Sequence, residues 1–384
     1  MAELDRYMPD LFGALDDLNR ENTGFCRCVA RNAEASRVKI GQNVLVPNAS
    51  ASDPVDIVES MSAPTATNPD VGTNSITIEK SEAVRINLSG EEETGTNAAG
   101  TTQPIMRARV PSAYRKLTHK IEAYVADKAV KGASRAYGDG TATMFTTADK
   151  MVEFAQMSRI LDDSGAPQDM RNFVVSNEAL ANMRANNTLL LKACEAGTDD
   201  FIRRGFIDPV MNLRLYASAG LTNFASGGKV VTTYAVAAAG KVHDKVINID
   251  SGTGTIAAGD VITFGTDTTN RYIVTKGTDA AGTIEIGGYG LVKEVAKAAT
   301  IATVQSYAPC VAFQSDAIQL AIRAPSRPTS GDSCVDQTIV QDAGSGLIFD
   351  VALYKGYHMN TLEIGVAYGA AVLRGENVAV LAGK

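Results

Sequence analysis

The sequence has no tryptophan, only three histidines, five cysteines and no long apolar run. Each scarcity closes off a class of protein. The cysteines are odd in number and scattered at 26, 28, 194, 310 and 334, which fits reduced thiols better than a disulfide framework. Cys26-Arg27-Cys28 could form half of a metal site, but no second Cys or His pair stands nearby to complete a tetrahedral set. Two ordinary thiols on one strand is the simpler reading. His119, His243 and His358 have no patterned partners, and a lone histidine is more often a surface or satisfied core residue than a catalyst. No stretch approaches the roughly eighteen apolar residues of a membrane span, so no membrane partner is expected. Met1 to Asp5 lacks the basic flank and apolar run of a secretory leader, so the chain is expected to stay in the cytoplasm where it is made. Clustered Lys and Arg are missing as well. The richest patch, Arg107 to Lys120, is only moderately basic, which argues against a face built to neutralise phosphates.

Catalytic signatures are equally scarce. Gly252 to Gly259 mimics a dinucleotide fingerprint, but Ala257 occupies the third glycine position and a strand, not a helix, is expected to follow. Without a helix N-terminus to receive a pyrophosphate the motif loses its physical reason. Gly344-Ser345-Gly346 lacks the spacing of a nucleophile elbow, and there is no HExxH or phosphate-binding loop. The chain is therefore read as a non-enzyme with no catalytic, cofactor or metal residues.

What is present points to a large folded protein. A chain of 384 residues, 45% hydrophobic and 21% charged, can bury a substantial core and should divide into two or three domains. Its net charge of −7 is uneven: residues 1–100 hold sixteen acids against eight bases, leaving 27 acids and 28 bases for the rest.

The organising stretch is Pro111 to Tyr137, expected as one amphipathic helix. Pro111 suits a first turn and Gly138-Asp139-Gly140 supplies an exit. Tyr114, Leu117, Ile121, Tyr124, Val125 and Ala129 recur at threes and fours, so they form one apolar stripe. Such a helix would be about 40 Å long, more a strut along an elongated subunit than one element of a compact ball.

Upstream, Leu11, Phe12, Leu15 and Leu18 suggest a short helix, Val38 to Val46 has strand character, and Pro47 to Asp70 has little to bury. Ile76, Ile78, Val84, Ile86 and Leu88 alternate with polar residues and predict two antiparallel strands turning near Lys80-Ser81-Glu82. The acids Glu91, Glu92 and Glu93 follow. A lone two-stranded ribbon is marginal in water, so this one must lie on its own body or on a neighbour. The expectation is that a neighbouring subunit orders Ile76 to Thr102, with the three acids meeting its Lys or Arg.

Downstream, Thr147 to Leu161 predicts a second helix. Asn172 to Val175 predicts a strand, Ser176 an N-cap, and Arg214 to Ser218 a further strand. Between Lys229 and Val304 short strands recur near 246–249, 261–264, 272–274, 284–286 and 302–305, separated by turn residues, the pattern of a small β-barrel or sandwich inserted as a separate unit. Strands then return at 311–313, 318–322, 347–354, 362–368 and 378–381.

In this order the parts resemble the major capsid proteins of tailed bacteriophages, which share the Hong Kong 97 fold, and within them the podovirus coat type with an inserted β-barrel. The strings that carry the resemblance are Ala258 to Gly265 with Arg271 to Val274 and Thr283 to Ile286, then Val311 to Pro325, and Ala367-Tyr368-Gly369 with Arg374. The likeness covers nearly the whole chain, although Ser164 to Asn223 is compact and its helices match loosely. It implies an α+β, Hong Kong 97-like capsid fold divided into an N-terminal arm (1–70), an extended β-hairpin loop (71–104), spine helix and peripheral domain (105–225), an inserted all-β barrel (226–307), and an axial domain with C-terminal strands (308–384). It also implies self-assembly into hexamers and pentamers of an icosahedral shell, with a scaffolding protein and portal ring as further partners. Double-stranded DNA would be enclosed through weak non-specific contact only, and the virion is the implied location. Glu91, Glu92 and Glu93 are the candidate intersubunit contacts. Alternatives are a non-viral encapsulin-type shell and, from another class, a soluble enzyme or carbohydrate-binding protein with its site on the inserted barrel. The last would need aromatics or convergent acids, and the barrel offers few beyond Phe264, Tyr272 and Tyr289.

Overall fold

The computed structural model describes residues 8–18, 23–32, 39–48, 59, 72–92, 102–146, 151–186, 209–225, 234–250, 252–328, 330–342 and 344–384. Two short helices open the chain, α1 (Met8–Leu18) and α2 (Gly24–Cys28), followed by β1 (Ala30–Asn32), β2 (Asn43–Asn48), β3 (Gly72–Thr77) and β4 (Lys80–Ser89). The long helix α3 spans Thr102–Gly132 and leads into β5 (Arg135–Tyr137), α4 (Val152–Asp163), β6 (Arg171–Ser176) and α5 (Asn177–Asn186). Strands then dominate: β7 (Arg214–Ser218), β8 (Phe224–Ala225), β9 (Val246–Ile249), β10 (Val261–Phe264), β11 (Asp267–Lys276), β12 (Gly282–Ile286), β13 (Ile301–Val304), β14 (Ser306–Gln314) and β15 (Ile318–Arg323). The last four are β16 (Cys334–Gln341), β17 (Ile348–Gly356), β18 (Met359–Val372) and β19 (Val378–Gly383). The class is mixed α+β.

The long helix differs from expectation at both ends. Its 31 residues rise about 46 Å. Pro111 lies inside it rather than at its start, because the stripe begins one turn earlier: Val110 is buried four residues before Tyr114. At the other end Arg135 to Tyr137 leave the helix to pair with β19 on one side and β11 on the other, so tertiary pairing overrides the local helical pattern. The stripe itself lies in the main core, where Tyr114, Leu117, Ile121, Val125 and Ala129 are fully or almost fully buried and Tyr124 nearly so.

A six-stranded sheet covers one side of this helix, in the order β1-β15-β18-β17-β16, with β4 on the other edge of β18. Here the expected hairpin is corrected. β3 and β4 do not pair with each other. β3 pairs with β2, from Asn43↔Thr77 to Asn48↔Gly72, as a separate two-stranded ribbon. β4 runs antiparallel to β18 over ten residues, from Met359↔Ser89 to Tyr368↔Lys80. The alternating β4 residues Ile86 and Leu88 are buried on that sheet, so its own subunit supplies the surface that was expected from a neighbour. The base of the ribbon sits on the same sheet through Val44, Ile76 and Ile78 packed with Ala321 and Ala367.

The second sheet has eleven strands, with the path β13-β10-β11-β5-β19-β14-β6-β7. Within it, β9, β12, β11, β10 and β13 are successive antiparallel neighbours. Residues 234–237 bond to both ends of that run: Ile301 N–H donates to Tyr234 O and Val236 N–H to Ala299 O, while Asp250 N–H donates to Ala235 O and Ala237 N–H to Asn248 O. One face of these strands encloses a core of its own, including Tyr234, Ile249, Ile262, Phe264, Tyr272 and Ile284. The alternate residues Val261 and Ile273 belong instead to the main core. The stretch expected as a separate unit thus shares both a sheet, through β11 and β5, and a core face with the rest of the chain.

A third core lies under α4, where Phe154, Met157, Ile160 and Leu161 meet Phe145, Phe173 and Met183. Met157 completes the helix's buried face, and Ala155 is exposed. Ser176 caps α5 as its sequence suggested: the Ala179 N–H donates to its Oγ at 3.2 Å.

Candidate functional site

The acidic run follows directly from β4. Glu91 and Glu92 are exposed, and Glu93 lies outside the described residues. Glu92 is not simply a solvated charge. The Ser89 N–H donates to its carboxylate at 3.1 Å and its own N–H donates to Ser89 Oγ at 3.2 Å, a reciprocal capping box around the turn that ends the strand. Ser89-Gly90-Glu91-Glu92 has the required S-x-x-E spacing, so this geometry was readable in advance. Gly90 N–H also donates to His358 O at 3.0 Å, which ties the turn to the tip of the β17–β18 hairpin. Tyr357, at that tip, is 93% exposed.

A second charged cluster holds the joint between β3 and β4 on α3. Glu79 accepts from Tyr124 Oη at 2.7 Å and Lys128 Nζ at 2.9 Å, and Glu82 accepts from Lys120 Nζ at 3.2 Å and Tyr368 Oη at 3.1 Å. Tyr124 and Tyr368 meet edge to face at 5.3 Å, and Lys80 lies 5.1 Å from the Tyr124 ring centre. Partial burial pushes the Glu79 carboxyl up, but the Lys128 and Tyr124 hydrogen bonds outweigh it and hold it below the usual carboxylate range. These groups fix where the ribbon leaves the body.

No catalytic set emerges from the residues weighed in the sequence. His243 and His358 are exposed turn residues at φ 71° and 53°, and His119 is half-buried on α3. Ser345 is a structural hydroxyl: the buried Asp342 accepts from its Oγ, from its N–H at 2.8 Å and from Gly344 N–H at 3.3 Å. Cys26 and Cys28 lie on the short helix α2 rather than on a strand, both buried. Burial pushes both thiols up, Cys28 as well as Cys26, which keeps them protonated and unreactive. Among the described residues no group of three His, Cys, Asp or Glu could hold a metal ion.

Two of the three aromatics weighed for a site on the strands between 226 and 307 are turned inward. Phe264 and Tyr272 are fully buried in the local core, leaving Tyr289 as the exposed one of the three. Tyr272 is there for structure, donating to the buried Asp267 at 2.8 Å and accepting from Val292 N–H at 3.0 Å. The groove of about 410 Å³ between α3 and residues 220–225 is lined mostly by small and apolar side chains. Its charged members, Asp127 and Lys131, pair with each other at 2.7 Å.

No protein-family model matches this sequence, and no curated protein matches it. Solved structures do resemble the chain. A structure of Mycobacterium phage Che8 aligns with a TM-score of 0.49 at 14% identity, covering 93% of this chain and 90% of that one. The capsid structure of the cyanophage P-SCSP1u gives 0.46 at 10% identity, covering 94% and 86%. A virus-like particle from Pyrococcus furiosus gives 0.42 at 10% identity, covering 98% and 99%.

Proposed function

We propose that this chain is the major capsid protein of a tailed bacteriophage, a Hong Kong 97-type subunit whose copies associate as hexamers and pentamers into an icosahedral shell around double-stranded DNA. The observation that carries this reading is the order of parts. An N-terminal helical segment is followed by a two-stranded ribbon, a 31-residue helix laid along a six-stranded sheet, and a mixed sheet interrupted by a β-rich stretch over 234–304. That is the order the sequence resemblance implies, and in this reading the β2–β3 ribbon takes the part of the extended loop. The same order supports a division into arm, ribbon, spine and peripheral region, inserted β unit and axial region. Scaffolding and portal proteins are the further partners of this reading, with the virion as its location and non-specific contact to DNA.

The ribbon gives the reading a physical motive. Leu45 on β2 is 59% exposed and Ile40 just before it 44% exposed, apolar surface that a lone subunit leaves in water and a neighbour's surface can cover. Sedimentation velocity on the purified chain tests the proposal: capsomer-sized or larger species are expected, and a monomer at every concentration contradicts it.

Glu91, Glu92 and Glu93 remain proposed contacts between subunits. Exchanging all three for Lys is expected to block assembly, because charges at a rim register and steer partners. The subunit itself should lose only the Glu92 half of the capping box, about 1 kcal/mol, and so melt within a few degrees of the unaltered protein. Sedimentation and a thermal melt on the same sample separate the two effects. Normal shells from the triple-Lys protein would remove these acids from the interface.

A further inference from the structure

Glu122 lies near the middle of α3 with no exposed surface, where α2 and the end of β7 meet the long helix. Phe25 N–H donates to Oε2 at 3.2 Å. The Cys26 amide and the Ser218 hydroxyl lie alongside, while Oε1 makes no hydrogen bond of good geometry. The surroundings leave no slack. A methyl group on Gly220 would fall 2.8 Å from the Glu122 carbonyl carbon, and one on Gly24 2.8 Å from the Ala217 carbonyl oxygen. A carboxyl group enclosed in this way lacks both water and a full set of donors, which favours its neutral form.

The groups that face it are few. From α2 come Arg27, Cys26 and Cys28, and from β7 the Ser218 hydroxyl, with Tyr216 near Cys28 and Arg27. Arg31 and Asp342 act on the neighbouring Cys26. Burial pushes the Glu122 carboxyl up to about 8, against the opposing pull of the two amides, Ser218 and Arg27.

We propose that Glu122 is a proton-operated latch: protonated, it holds residues 23–32 against α3 and β7, and ionised, it releases them. The direction follows from linkage. The docked carboxyl has the raised value and the released one the ordinary 4.5, so docking is strongest below 4.5 and weakens as pH rises through about 8. With these two values the released fraction grows on the order of a hundredfold between about pH 6 and about pH 10. The latch is a property of a single chain and does not rest on the shell reading.

Thiol labelling of the intact chain tests it. Iodoacetamide modification of Cys26 and Cys28 is compared, by peptide mass spectrometry, with that of Cys310, which is buried in the core under α4 rather than in the main core that holds Cys26 and Cys28. The ratio cancels the general rise in thiolate with pH. It should climb on the order of a hundredfold between about pH 6 and about pH 10 in the unaltered protein and stay flat in Glu122→Gln, which keeps the shape and an acceptor but cannot ionise. An equal climb in both proteins, or a flat ratio in both, overturns the latch. Should Glu122→Gln fail to fold, hydrogen exchange on the unaltered protein decides. Protection of the α2 amides relative to β14 must then fall as pH rises from about 5 to about 8 and level off above it, and constant relative protection overturns the proposal.

Discussion

Ile121→Asp is expected to leave no folded subunit. Ile121 is fully buried in the main core, at the centre of the stripe that α3 presents to the sheet. Losing such a side chain costs about 2–5 kcal/mol, and placing an unpaired carboxylate in hydrocarbon adds several more. The sum rivals the whole net stability of an ordinary domain, about 5–15 kcal/mol. The neighbouring acid shows what toleration requires: Glu122 is buried too, but the Phe25 N–H meets it and its proton stays on. Circular dichroism of the variant should show a collapsed melt and the protein should partition to the insoluble fraction. A soluble variant with an unchanged melting temperature would mean that the stripe faces water.

Gly369→Val should detach the β2–β3 ribbon without unfolding the rest. Gly369 lies in β18 where β3 passes over it, and a methyl group there would overlap the Thr77 carbonyl oxygen and press on the Ile78 Cα. Backbone cannot yield as a flexible side chain can, so the ribbon must lift. Lifting exposes Val44, Ile76 and Ile78, all now buried against Ala321 and Ala367. At about 1.5–3 kcal/mol for each large side chain, the loss for the three is about 4.5–9 kcal/mol. Asn74 Nδ2 also gives up its hydrogen bond to Leu373 O at 3.0 Å. Hydrogen exchange should show residues 72–78 losing protection while β14 and β19 keep theirs. Retained protection in 72–78 would show that the sheet can shift to admit the side chain.

Strands whose partners are near in the chain were legible in the sequence. Strands β9 and β10 fall at 246–249 and 261–264, where the intervening turn residues predicted them, and each meets a partner within a few dozen residues. The α3 stripe was legible because its residues are spaced by the helix itself. The apparent hairpin failed for the opposite reason. β3 and β4 alternate convincingly and lie two residues apart, but their partners are β2 and the distant β18. Alternation identifies a strand and a face, not which edge it joins. β16 escaped notice because its apolar residues do not mark its inward side: Val335 and Ile339 are 50% and 59% exposed, while the polar Asp336 and Thr338 alternate with them on the less exposed face. At the candidate site the acids were visible as a run, but Glu122 was not. It reads as an ordinary polar position of a helix, and its burial arises only where α2, β7 and α3 converge.

Assembly into a shell is visible directly by cryo-electron microscopy of the purified chain. Closed icosahedral shells or hexameric and pentameric rings are expected, with the β2–β3 ribbon of one copy lying on the next and covering Leu45. Discrete monomers under all conditions, or an assembly in which the ribbon touches no other copy, would contradict it.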